Sequence, residues 1–264
     1  MSAPITDIAQ FLLDQYSQGA SYNKLGVLRS ALSAFVTSNQ GPVGQDKIIV
    51  GLMKGFYNNR PPRPRYSATW NIDTVLLDYW ISREDNKSLS LKDLSYKAVT
   101  LVAVNQLKRA SEINNMMLSN YGIKEDRLEF LLYTTPKHQR RGSLLPMVIK
   151  KIINAKLDPV SCLLEYIDRT KGFRELEDGL RRDRLFLSLS SLHREIKSCT
   201  VSRWIQQAMN LAGVCTTFKP HSIRGASASA AHFKRGASLK AIMKRGQWSS
   251  ESVLKRFYIR PLTD

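Results

Sequence analysis

Cysteine and histidine are both scarce in this 264-residue chain, and neither is arranged for a purpose. Cys162, Cys199 and Cys215 are odd in number and show no CxxC spacing, which excludes a disulfide framework and a cysteine zinc site and favours a reducing intracellular compartment. The four histidines lack metal-ligand spacing, so no metal is expected. No P-loop is present, and no cofactor is expected. Apolar runs fall short of the roughly 20 residues that span a bilayer, and the start MSAPITDIAQFLL lacks a basic n-region. The chain therefore reads as neither secreted nor membrane-embedded. Acidic residues are few as well: 22 Asp and Glu against 40 Lys and Arg, a net charge of +18. Such an excess repels itself in a compact state, so a polyanionic partner is the natural explanation. The cations are spread along the chain, as suits a folded body that wraps duplex DNA; charge alone leaves open a merely basic surface or a ribosome-associated protein. With 43% hydrophobic and 9% aromatic residues the composition is that of a globular protein.

Apolar periodicity predicts three amphipathic helices over residues 1–57, with stripes through Ile8, Phe11 and Leu12, through Leu25, Leu28, Leu32 and Phe35, and through Ile48, Leu52 and Phe56. Gly19 is a candidate stop and Ser21 a candidate N-cap. Pro61, Pro62 and Pro64 then forbid a helix, and Arg60, Arg63 and Arg65 make this extended strap a candidate for running along phosphates, or else an ordinary solvated linker. A boundary near residue 66 divides a helical domain with its linker, 1–66, from a second domain, 67–264. The second domain reads as mainly helical. A helix is expected around 72–79, and another from Ser90, with Asp93 completing a capping box, to Leu107. Leu128–Tyr133 is a strand-like run with a hairpin partner at 143–148, joined by the basic loop 134–142, which holds Lys137, Arg140 and Arg141. Further helices are expected at 160–171, at 201–212 and from His221 onward, with Gly236 and Gly246 as successive C-caps.

The chemistry concentrates in Lys219–Ser227. If a helix starts after Pro220, His221 and Arg224 share one face. A histidine and a guanidinium so placed can reach one phosphate, the arginine through a planar fork of donors and the histidine by moving a proton near neutral pH. Alone the HxxR spacing is weak. Downstream, however, stand Arg235-Gly-Ala-Ser-Leu239, Gly246-Gln-Trp-Ser-Ser250 and Phe257-Tyr258, a series of short helices able to return a late tyrosine to where the first began.

The stretch from Phe218 to Tyr258 resembles the C-terminal boxes of the tyrosine recombinase (phage integrase) family: HxxR, a G-x-x-L-x-x-I segment, a Trp after a glycine turn, and the nucleophilic tyrosine. Leu107-Lys108-Arg109-Ala110-Ser111-Glu112-Ile113 resembles the first arginine box, and Lys137 is the best match to the hairpin lysine. The resemblance covers nearly the whole chain. Its finer flavour is similar to the recombinases of eukaryotic DIRS-like retroelements.

This resemblance implies a mainly α fold with a small β-hairpin or sheet (α+β), a helical core-binding domain preceding an integrase-like catalytic domain. It implies metal- and ATP-independent cleavage and rejoining of double-stranded DNA through a 3′-phosphotyrosyl link. Tyr258 would attack the phosphate; Arg109 and Arg224 would hold its non-bridging oxygens; His221 would assist proton transfer; Lys137 would protonate the leaving 5′ oxygen; Trp248 would buttress the pocket. Glu112 would orient a neighbouring cation, and Arg203, Arg140, Arg141 and the strap arginines would contact DNA. A homo-oligomer, a tetramer on DNA, is implied, in the nucleus if the source is eukaryotic and otherwise in the cytoplasm or nucleoid. Two departures stand out. Trp248 lies ten residues before Tyr258, one more than the family's common nine, and only six residues follow Tyr258, too few for a docking helix. The alternatives are a type IB topoisomerase-like relaxing enzyme, or a DNA-binding remnant that no longer cuts.

Overall fold

A computed structural model describes residues 3–38, 41–63, 65–131, 146–175 and 180–263. The chain forms two compact units, 1–65 and 66–264.

The first unit holds helices α1 (Ile5–Ser17), α2 (Tyr22–Phe35) and α3 (Lys47–Asn59), with a two-residue antiparallel ladder of β1 (Thr37–Ser38) and β2 (Gly41–Pro42) between the last two. Gly19 takes a left-handed φ of 90° after α1, and the Ser21 hydroxyl accepts from the Lys24 amide at the start of α2. Ile8, Leu12, Leu25, Ile49, Met53 and Phe56 bury together as one core. The Tyr16 and Phe56 rings stack, with centroids 4.4 Å apart.

In the second unit β3 (Thr69–Trp70) leads into a π-turn at Asp73–Leu77 and the short α4 (Asp78–Ser82). Next comes α5 (Leu91–Gln106), buried almost all round from Leu94 to Ala103 and packed against four later helices. A helix buried on all faces is a domain's central strut. Ser90 caps it by accepting the Asp93 amide. The reciprocal bond expected of a capping box is replaced, because the Ser90 hydroxyl donates to the Asp93 carboxylate at 2.7 Å. After α6 (Ala110–Asn114), the strands β4 (Tyr121–Lys124), β5 (Arg127–Phe130) and β6 (Met147–Lys150) form an antiparallel sheet in that order. The expected pairing across the basic loop is thus present as β5 with β6, while β4 is an additional strand. Leu128, Phe130, Met147 and Ile149 point into the core.

The remaining helices are α7 (Pro159–Arg169), α8 (Ser198–Leu211), α9 (Ser222–Phe233), α10 (Leu239–Gly246) and α11 (Glu251–Phe257). The fully buried Arg174 ties the loop before α8 to α7, donating to the Arg184 and Leu185 carbonyls and to the Thr170 hydroxyl. Past Tyr258 the chain turns back. Its last strand, β7 (Leu262–Thr263), pairs in parallel with β3 of the same chain, and the Thr69 amide donates to the Pro261 carbonyl at 2.9 Å. No described helix is long and apolar enough to cross a membrane.

Candidate active site

The start of α9 carries the HxxR pair. His221 is the N-cap residue and Arg224 lies in the first turn. The helix is tied down there by Trp70, whose indole N–H donates to the Ser222 hydroxyl at 3.0 Å. Arg224 is 1% exposed. Its guanidinium carbon lies 4.0 Å from the Trp248 ring centroid and 5.4 Å from that of Tyr258. One Nη donates to the Gly246 carbonyl, while the other Nη and the Nε are buried without a partner. Burial and the nearby Arg109 charge push its pKa down to about 10, so it remains a cation at neutral pH.

Tyr258 ends α11, and its hydroxyl lies 3.1 Å from His221 Nε2. Desolvation, then the Arg224 and Arg109 charges, lower the His221 pKa from its usual value, which favours the neutral ring that can accept a phenolic proton. The tyrosine is held from behind by two small residues of α9. A Cβ on Gly225 would lie 3.4 Å from the Tyr258 carbonyl oxygen, so the backbones pass close together. One turn on, the buried Ser229 hydroxyl donates to that same carbonyl at 3.0 Å and accepts from the Arg260 amide at 2.9 Å. The Trp248 ring packs edge-on against Tyr258, with centroids 4.9 Å apart. The extra residue between Trp248 and Tyr258 does not keep them apart. Gln247, just before Trp248, closes α10 in the left-handed region, φ 55°.

That geometry corrects the expected role of Gly246. It is the last residue of α10 rather than a left-handed cap, and it is glycine for a different reason: an added Cβ would lie 2.0 Å from the Trp248 ring. Trp248 therefore sits flat on the end of α10. Its indole N–H is buried without a partner, beside the unpartnered guanidinium nitrogens of Arg224.

The first arginine box begins where α5 ends. Leu107 closes that helix in the left-handed region, φ 53°, at a cost of about 1 kcal/mol for a residue with a Cβ. It is held there by a small core with Ala228, Ile242, Trp248 and Leu254 beneath the site. Glu112, 8% exposed, grips Arg109 twice: it accepts from the Arg109 amide at 2.8 Å and from the guanidinium at 2.9 Å. Arg109 itself is half-buried and opens on a shallow cleft of about 300 Å³, shared with Ser111 and with Ser198, Cys199 and Ser202 of α8. Lys108 was not singled out in the sequence. It is 5% exposed, and the charges acting on it are those of Glu112, Arg224 and Arg109. The available signal was a cation placed directly after the apolar run that ends at Leu107. Ser229 and Gly225 gave only the ordinary signature of small residues on one helix face.

The structure thus brings together Arg109, Glu112, His221, Arg224, Trp248 and Tyr258. Lys137, Arg140 and Arg141 lie outside the described residues. Arg203 is exposed on α8. Within the first unit Arg63 and Arg65 are exposed. Arg60 is committed to its own unit: it donates to the Tyr16 and Ala20 carbonyls at 2.9 Å each and stacks 4.1 Å over the Tyr16 ring. Among the described residues no cluster of three or more His, Cys, Asp or Glu could hold a metal ion, and the three cysteines are free.

No curated protein matches the chain by sequence. In structure it is similar to the XerH site-specific recombinase bound to a palindromic difH substrate, with 14% identity, a TM-score of 0.61, and 95% of this chain and 67% of that one covered. It is similar to the Tn1549 transposon integrase in complex with transposon right end DNA, with 15% identity, TM-score 0.60 and coverages of 98% and 81%. A lambda integrase dimer bound to a core site gives 17% identity, TM-score 0.51 and coverages of 96% and 63%. At such identities the likeness carries the fold, a mainly helical α+β architecture. The sequence profile described as the Phage integrase family matches residues 81–263, which is more than half of the chain and includes every box described above, and the chain belongs to that family.

Proposed function

We propose that this chain is a site-specific tyrosine recombinase that cleaves and rejoins double-stranded DNA through Tyr258. The observation that carries this reading is the 3.1 Å contact of the Tyr258 hydroxyl with His221 Nε2, beside a buried Arg224 with two unpaired nitrogens and an indole with an unpaired N–H. Tyr258 gives its proton towards His221 and its oxygen forms a bond to phosphorus. The bond from phosphorus to the 5′ oxygen breaks, the electron pair leaves with that oxygen, and Lys137 supplies the proton it takes up. A 3′-phosphotyrosyl ester remains. Attack by a 5′ hydroxyl reverses the sequence, so one ester replaces another and no nucleotide is consumed. Arg109, Arg224 and the Trp248 N–H hold the non-bridging oxygens, where charge grows in the transition state. Glu112 keeps Arg109 in place.

The +18 charge and the exposed Arg63, Arg65 and Arg203 support duplex DNA as the partner. The first unit would act as a core-binding domain. The same reading extends to a homo-oligomer, a tetramer on DNA, and to an intracellular protein, nuclear if the source is eukaryotic. Gly246-Gln-Trp-Ser-Ser250 and the small N-terminal unit support a relationship to DIRS-like retroelement recombinases.

A nicked suicide duplex carrying element-end sequences tests the chemistry. The wild-type chain should form an SDS-resistant protein–DNA adduct. Tyr258→Phe should lose the adduct and keep binding, and Arg109→Ala should slow adduct formation by about 10²–10³-fold with a smaller effect on affinity. Adduct formation by Tyr258→Phe at the wild-type rate would falsify the assignment. Relaxation of supercoiled plasmid without recombinant products would instead favour a type IB topoisomerase-like enzyme.

A further inference from the structure

We propose that Lys108 is a further catalytic residue, a cation that contacts the scissile phosphate beside Arg109 and Arg224. The inference rests on the tyrosine-recombinase reading of the same site.

Lys108 sits between Leu107, anchored in the left-handed turn, and Arg109, the first arginine of the site. The lysine is only 5% exposed, yet it makes no hydrogen bond or ion pair among the described residues. The one carboxylate acting on it is that of Glu112, and both Glu112 oxygens are already engaged by Arg109. Two further cations, Arg224 from α9 and Arg109, repel it. Burial and this repulsion bring its pKa down to about 8. An ammonium at the end of a buried stem, among cations and with the one carboxylate acting on it taken, lacks an anion. Arg224, one of the cations acting on Lys108, has two unpartnered nitrogens, and the Trp248 ring against it has an unpartnered indole N–H. One tetrahedral oxyanion answers all of these groups.

Charge balance shows why a third cation matters. Arg109, Arg224 and Glu112 together carry one net positive charge, which matches a phosphodiester monoanion. Attack by Tyr258 adds a second negative charge to the phosphoryl group, balanced in part by the proton that passes to His221. Protonated Lys108 raises the cluster by one unit and so favours the transition state over the bound ground state, which is the condition for accelerating a reaction rather than only tightening binding. Lys108 keeps its proton throughout. The leaving oxygen takes its proton from elsewhere.

The test compares wild type, Lys108→Met and Lys108→Arg on the full chain in three ways. With the suicide duplex, Lys108→Met should form adduct about 10²-fold more slowly, with duplex affinity nearly unchanged, and Lys108→Arg should recover much of the rate. The second-order rate of the wild type should fall as pH rises past about 8, where the free enzyme's lysine loses its charge, and Lys108→Arg should lack that limb. With inorganic phosphate as probe, melting should shift upward in the wild type and less in Lys108→Met, although Lys108→Met by itself should melt at the same temperature or higher. A Lys108→Met chain that forms adduct at the wild-type rate would overturn the proposal, as would one with a lowered melting point and an unchanged phosphate shift. If the wild type forms no Tyr258 adduct, the recombinase reading fails, and the phosphate shift still decides whether Lys108 belongs to an oxyanion site.

Discussion

Arg224 uses its guanidinium unevenly: one nitrogen is bonded to the Gly246 carbonyl and two are buried with no acceptor. Each such orphan costs on the order of 1–3 kcal/mol, a penalty that a bound phosphate oxygen would relieve. The arginine can tolerate this only because flat aromatic faces hold it in place, and the flatness depends in turn on Gly246. Gly246→Ala would drive a methyl group into the Trp248 ring. The ring must then tilt or α10 must shift, a strain of about 1–3 kcal/mol. The expected result is a lowered melting temperature together with adduct formation that falls more steeply than DNA affinity. Thermal denaturation and the suicide-duplex assay check both, and a variant unchanged in both would mean that Trp248 does not brace the site.

At the scale of elements, α9 does two jobs: its first turn carries His221 and Arg224, and its small residues seat the backbone at Tyr258. Ser229 is the joint, bonded to the Tyr258 carbonyl and the Arg260 amide at once. Ser229→Ala leaves a part-buried carbonyl and amide without that partner, which should lower stability by about 0.5–1.5 kcal/mol. It should also slow adduct formation while leaving duplex affinity intact, as equilibrium denaturation and single-turnover kinetics would show. If the rate at saturating DNA stayed at the wild-type value, the joint would be structural only. The helices themselves were legible in the sequence because their apolar stripes have the right period, as in Leu25, Leu28 and Leu32 or in the run ending at Leu107. The strand β4 was not legible: its ends are Tyr121 and Lys124, with Gly122 and the exposed Ile123 between, so it shows no alternation of inside and outside. Two-residue strands such as β3 and β7 carry no local signal at all, since they exist by pairing across nearly the whole second unit. The six-member site was legible from spacing and resemblance. Its supports were not, because Gly225, Gly246 and Ser229 are distinguished only by what approaches them in space. Arg60 shows the opposite limit. Its place among prolines and arginines suggested phosphate contact but gave no sign that one of its guanidinium nitrogens donates to the Tyr16 and Ala20 carbonyls.

At the scale of the whole molecule, each unit buries a core of its own, and all of the assembled site residues come from the second. Tyr258, the histidine that meets it and both arginines belong to one chain, and the segment after Tyr258 is fastened to β3 of that same chain. In genetic language, this arrangement predicts a self-contained site, in which a chain's Tyr258 serves its own arginines rather than a neighbour's. Two inactive variants mixed together, Arg109→Ala and Tyr258→Phe, should therefore fail to complement each other in the suicide-duplex assay, however well they assemble on DNA. Recovery of adduct in the mixture would mean that the tyrosine is exchanged between chains. Failure to complement would mean that, in any assembly of such chains, a defective copy silences only the strand it holds, and that the order of strand cuts follows which chain is switched on rather than which donates its tyrosine.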